Sequence, residues 1–113
     1  MEQKDFIPFQ QALELKELGF NEPCLGKFYY NHLEIGGNWR NDDFKEDPDI
    51  FISAPLYQQT FRWFKENYNL KEDYGIFPHH TIMSNYVLND GNEENAELEC
   101  TKELISIVKT KKN

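Results

Sequence analysis

Apolar positions along the chain change period several times, and each change marks an element. Residues 8–18 repeat at helical spacing, with Phe9, Ala12, Leu13, Leu15 and Leu18 on one broad arc. Pro8 suits the first turn of a helix, where its missing N–H costs nothing. Gly19 suits the left-handed position just past the end, with Phe20 folding back on Leu15. Residues 24–30 and 33–35 are short aromatic and aliphatic runs separated near Asn31, the pattern of a β-hairpin. Gly36 and Gly37 are expected to end it. A polar loop is expected over 38–49, in which Trp39 and Phe44 are the large apolar groups, followed by a short extended piece at 50–52.

The clearest helix follows. Ser53 is placed to cap it. Leu56, Tyr57, Thr60, Phe61, Trp63, Phe64 and Tyr68 fill one side, while Gln58, Gln59, Arg62, Lys65, Glu66 and Asn69 fill the other. Asn69 can end this helix in the left-handed conformation. Residues 74–89 read as extended chain with a turn, a second hairpin. Asp90 and Glu93 then have the spacing of a capping box for a third helix. Ala96, Cys100, Leu104, Ile107 and Val108 form its main face, and Leu98 and Ile105 widen that face beyond what one sheet surface needs. The order helix, hairpin, helix, hairpin, helix predicts an α+β fold. Its antiparallel sheet would have about four strands from the two hairpins, with the three helices packed on it.

The length of 113 residues fits a single domain, 1–113, and 39% hydrophobic residues with 15% aromatics exceed what a disordered chain carries. The formal charge of −8 opposes binding to phosphate backbones or anionic lipid surfaces, so neither nucleic acid nor membrane is an expected partner. Glu2, Gln3, Lys4 and Asp5 after the first methionine do not read as a signal sequence, so none is expected, and no apolar run in this sequence is long enough to span a bilayer. The expected location is the cytoplasm. Cys24 and Cys100 have no metal-ligand spacing, and reduced thiols are expected in that compartment.

Candidate chemistry is sparse. His79 and His80 are adjacent, so on a strand they would face opposite ways and not chelate one ion. His32 is the remaining histidine. Asp42, Asp43, Glu46, Asp47 and Asp49 form an acidic loop, but Lys45 and Glu46 break the calcium-loop pattern. No phosphate-binding glycine motif or serine elbow is present. No catalytic residue, cofactor or metal is therefore assigned. Lys16 falls within an apolar arc, where its stem can lie on the core while the ammonium reaches water. Trp39 and Phe44 are either anchors for a partner or plugs that hold the loop to the core. Trp63, with Arg62 and the two glutamines beside it, is either a core residue or part of a partner face.

Three segments carry a resemblance: 12–24, ending Gly19-Phe20-Asn21-Glu22-Pro23-Cys24; 54–64, ending Thr60-Phe61-Arg62-Trp63-Phe64; and 96–105, with Leu98-Glu99-Cys100. In this order the chain resembles a group of short uncharacterised proteins of tailed phages and prophage regions in gut bacteria, over residues 11–109. The resemblance implies a small accessory protein of a mobile element, acting in the host cytoplasm. It carries over no catalytic residue.

The leading expectation is a non-enzymatic protein-interaction module. Its partner is a protein the sequence does not name, or a second copy in a weak homodimer. Leu98, Ile105, Trp39 and Phe44 are the candidate contact residues. Two alternatives are an acidic nucleic-acid mimic acting on host proteins and a small enzyme using a histidine and a carboxylate.

Overall fold

The computed structural model describes residues 2–69 and 93–112. It is an α+β fold with three helices and a three-stranded antiparallel sheet among the described residues. The chain divides after Leu56 into two compact units.

The first unit begins with a 3-10 turn, Gln3–Asp5, and helix α1, Phe9–Glu17. Strand β1 is Cys24–Tyr29 and strand β2 is His32–Trp39. A second 3-10 turn, Asn41–Phe44, leads to strand β3, Phe51–Ser53. The sheet order is β2-β1-β3, with every pairing antiparallel.

Pro8 stands one residue outside α1, as its N-cap, with extended backbone. The other end closes as expected. Gly19 has φ +98°, its N–H donates to Lys16 O at 3.0 Å, and Phe20 N–H donates to Leu15 O at 2.9 Å. These two bonds are the Schellman pair that satisfies carbonyls at the helix end. Lys16 does reach past the apolar arc, and its ammonium donates to the Pro48 carbonyl.

β1 alternates buried and exposed positions, with Cys24, Gly26 and Phe28 inward. Ile52 of β3 lies opposite Phe28 and is also buried. α1 packs against β3, and Phe9 meets the Phe28 ring edge-on at 5.6 Å. Phe6, Ile7, Ala12, Leu15, Leu18, Phe20 and Ala54 are also buried.

The sequence expectations need correction at two places. First, Gly36 and Gly37 do not end the hairpin. Both take positive φ, at +124° and +88°, and form a bulge through which β2 continues to Trp39. Glycine tolerates this backbone where other residues would strain, so the pair bends the strand without stopping it. Second, Ser53 does not cap a helix. It is the last residue of β3, and its N–H is taken by Asn41 Oδ1 at 2.9 Å. The next residues are drawn into sheet-like pairing: Ala54 N–H donates to Gly26 O, Ile7 N–H to Pro55 O, and Phe6 bridges Leu56. The helix accordingly waits until Tyr57. Among the described residues the sheet has three strands, the third being 51–53, within the short extended piece expected at 50–52. The expected second hairpin, 74–89, lies outside the described residues, as do His79, His80 and the proposed cap at Asp90.

The second unit contains α2, Tyr57–Tyr68, and α3, Glu93–Lys112, which pack against each other. Tyr57, Thr60, Phe61, Trp63 and Phe64 are buried on α2, while Gln58, Arg62, Lys65 and Glu66 are exposed. Asn69 ends α2 with φ +58°. On α3, Ala96, Cys100, Leu104, Ile107 and Val108 are buried, as the helical period predicts. Thr101 is buried too, its hydroxyl satisfied by Glu97 O at 2.8 Å. Neither cysteine forms a disulfide, and both are buried.

Candidate functional site

The outward face of the first unit's sheet carries the most distinctive surface. Lys27 and Tyr29 project to the same side of β1, as alternate strand residues must. The β1–β3 register sets Tyr29 beside Phe51, and their rings are 5.4 Å apart. Tyr30, in the hairpin turn, stands edge-on to Tyr29 at 4.8 Å. The 3-10 turn then brings Phe44 onto Phe51 in a stack at 5.3 Å. Trp39, at the far end of the bulged strand, meets Phe44 at 5.8 Å. Tyr30, Tyr29, Phe51, Phe44 and Trp39 thus form one continuous arc of rings.

Exposure grades along this arc. Tyr30 and Tyr29 are 55% and 44% exposed, Phe51 and Trp39 are half-buried, and Phe44 is buried at 7%. Of the two readings open for Phe44, the plug is the one its burial supports. Trp39 keeps part of its surface open.

Lys27 sits within the arc. Its ammonium lies 4.0 Å from the Trp39 ring centroid and 5.1 Å from that of Phe51, and 3.9 Å from a Glu34 carboxylate oxygen. Its side chain is only 20% exposed, so the cation is partly desolvated where ring faces attract it most. Beside it opens a concavity of about 420 Å³, floored by Lys27, Trp39, Phe44 and Phe51. Asp42, Asp43, Glu46 and Asp47 line the same hollow with Lys45. Its acidic wall is part of the loop in which Lys45 and Glu46 break the calcium-loop pattern. Among the described residues, no three His, Cys, Asp or Glu side chains come together to hold a metal ion.

The wall is anchored at its base. The Asn41 side chain donates to Phe20 O at 2.8 Å and accepts from Ser53 N–H at 2.9 Å. Asp42 N–H donates to Asn21 Oδ1 at 2.9 Å, and Asp43 accepts from Arg40 N–H at 2.8 Å. Lys16 holds Pro48 from the other side. A loop fixed this way presents its carboxylates from a defined backbone.

The other sequence candidates are elsewhere. Ile105 is buried at 2% and Leu98 is half-buried, so the outer arc of α3 offers little open apolar surface. Trp63 is 5% exposed, which favours its core reading. His32 is exposed, opposite Tyr29. Sequence reasoning missed Lys27, Tyr29, Tyr30 and Phe51. Their advance signals were the Lys27–Tyr29 alternation within the aromatic run 24–30 and the extended piece at 50–52.

Comparison with protein-family models, curated proteins and solved structures finds no match to this chain. No helix among the described residues is long and apolar enough to cross a membrane.

Proposed function

We propose that this protein is a non-enzymatic interaction module and that the aromatic arc of its first unit is the working surface. One observation carries the reading: five rings run in unbroken contact across a sheet face, two of them more than two-fifths exposed. Exposed aromatics that touch each other are rigid, pre-ordered contact area, the kind that dominates binding energy at interfaces. The β2 edge is less suited to recruit a strand, because the bulge at Gly36 and Gly37 twists it. Recognition through side chains is the better fit. The resemblance carried by segments 12–24, 54–64 and 96–105 supports placing this module among phage or prophage accessory proteins of the host cytoplasm.

The test is comparative capture from host cells. Tagged wild type, Trp39→Ala and Tyr29→Ser are used as baits, with far-ultraviolet circular dichroism to show that each is folded. The expected result is a protein held by the wild type and lost from both folded variants. A partner retained equally by all three would move the working surface away from the arc.

A further inference from the structure

We propose that the hollow beside Trp39 receives an arginine side chain from an extended basic segment of the partner protein. The proposal rests on the interaction-module reading and names the chemistry of its partner. Three observations lead to it. The arc already holds a cation: Lys27 lies over Trp39 and Phe51 with its side chain four-fifths covered. Lys27 shows that these ring faces, with their negative quadrupoles, suit a positive group, and half-buried Trp39 keeps part of its surface open to a second one. The lining is also unbalanced, with four carboxylates from Asp42, Asp43, Glu46 and Asp47 against the two ammonium groups of Lys27 and Lys45. The whole chain, at −8, has the same sign, which draws a basic segment in and repels an acidic one. Finally, the hollow's volume of about 420 Å³ lies in the range of ligand sites, roughly 300–1,000 Å³.

Arginine fits better than lysine. Its guanidinium is planar, so it can lie on a ring and still present a fork of N–H donors to a carboxylate. Lysine offers a compact charge without that plane. Lys27 would then be a like-charged neighbour of the incoming group, holding part of the ring surface and weakening the affinity.

The test is calorimetric titration of the full chain with three short peptides of glycine and serine. The first is spaced with arginine, the second with lysine, and the third with glutamate. Chemical shifts of the Trp39 indole N–H are followed in parallel. The arginine peptide should bind most tightly and shift that signal. Trp39→Ala should weaken it about tenfold, and Trp39→Phe, which keeps a ring, by less. Lys27→Met should tighten it about threefold by removing one like charge at a partly exposed site. Glu46→Gln with Asp47→Asn should weaken it by a similar factor. Preference for the glutamate peptide, or weaker arginine binding by Lys27→Met, would overturn the proposal. So would arginine binding that Trp39→Ala leaves intact, since charge alone would then account for it. Self-association abolished by Trp39→Ala would put a second copy of this chain in the hollow and equally overturn it. If no peptide binds, yet a captured partner is still lost from Trp39→Ala, the arginine proposal fails and the interaction-module reading stands.

Discussion

Gly37 leaves open the space that the Trp39 indole occupies. A Cβ at position 37 would lie 2.2 Å from Trp39 Nε1 and 2.7 Å from Cε2, closer than any real contact allows. The indole N–H donates to Gly36 O at 3.0 Å, so the bulge and the ring are one arrangement. With φ at +88°, Gly37 also holds a backbone that an alanine would strain. Gly37→Ala should cost about 2 kcal/mol or more and displace the indole from Lys27. A loss of stability together with a shifted Trp39 indole resonance checks both halves. An unchanged thermal midpoint would mean that position 37 does not carry this backbone.

Asn41 is the second anchor of the site, and it works by bonding to two different segments. Its amide joins the Phe20 carbonyl after α1 to the Ser53 N–H at the end of β3. Asn41→Ala would leave both part-buried backbone groups without this partner, at about 1 kcal/mol or more for each. The expected loss is about 2 kcal/mol in chemical denaturation. Asn41→Asp keeps the acceptor for Ser53 N–H but sets a carboxylate oxygen against the Phe20 carbonyl, and should be destabilised at least as much. Equal stability of all three proteins would remove Asn41 from the loop's support.

What could be read in advance divides by distance along the chain. The caps at Gly19 and Asn69 were legible because each depends on a backbone conformation that few residues tolerate, within a few positions of a periodic stretch. The buried faces through Phe61 and Phe64, and through Leu104 and Val108, were legible for the same local reason. Ser53 misled because a good N-cap residue can equally end a strand. What decided between them was pairing of the following residues with Phe6 and Ile7, almost fifty positions away in sequence. Gly36 and Gly37 misled because a glycine pair that ends a strand and one that bulges it look alike. The candidate site was half legible. Trp39 and Phe44 were singled out, but Lys27, Tyr29 and Phe51 join them only through the β1–β3 register and the bulge in β2. A one-dimensional pattern does not contain that register.

Phe64 tests the second unit independently of the site. It is fully buried, with its ring 5.1 Å from Trp63 and 6.2 Å from Tyr68. Phe64→Ala should cost about 3–5 kcal/mol, and Phe64→Leu much less, because leucine fills most of the volume. Urea denaturation followed by Trp63 fluorescence in a Trp39→Phe background measures both. A small effect for the alanine variant would contradict this packing.

Cys24 and Cys100 are both fully buried, and neither forms a disulfide. A buried thiol reacts slowly whatever its chemistry. The native protein should therefore resist a thiol reagent, and the denatured protein should titrate two thiols without added reductant. Fewer than two in denaturant would show a bridge. Fast labelling of the folded protein would show that one of the cores opens.

Tyr30 separates stability from function. It occupies the hairpin turn with φ +56°, a conformation that tyrosine rarely adopts, and its side chain is 55% exposed. Left-handed backbone costs a residue with a Cβ about 1–2 kcal/mol. The visible return is an edge-on contact with Tyr29 at 4.8 Å, worth about 0.5–1.5 kcal/mol and partly reduced by exposure. Glycine would fit the turn without strain, since positive φ is its ordinary range. On stability alone the turn gains nothing clear from tyrosine. The arc, however, loses its outermost ring without it. Tyr30→Gly should therefore leave the thermal midpoint unchanged or slightly raised, while partner capture falls as it does for Tyr29→Ser. A loss of more than about 1 kcal/mol would show that the ring contact outweighs the backbone strain. Undiminished capture by the folded variant would show that the binding surface stops short of the turn.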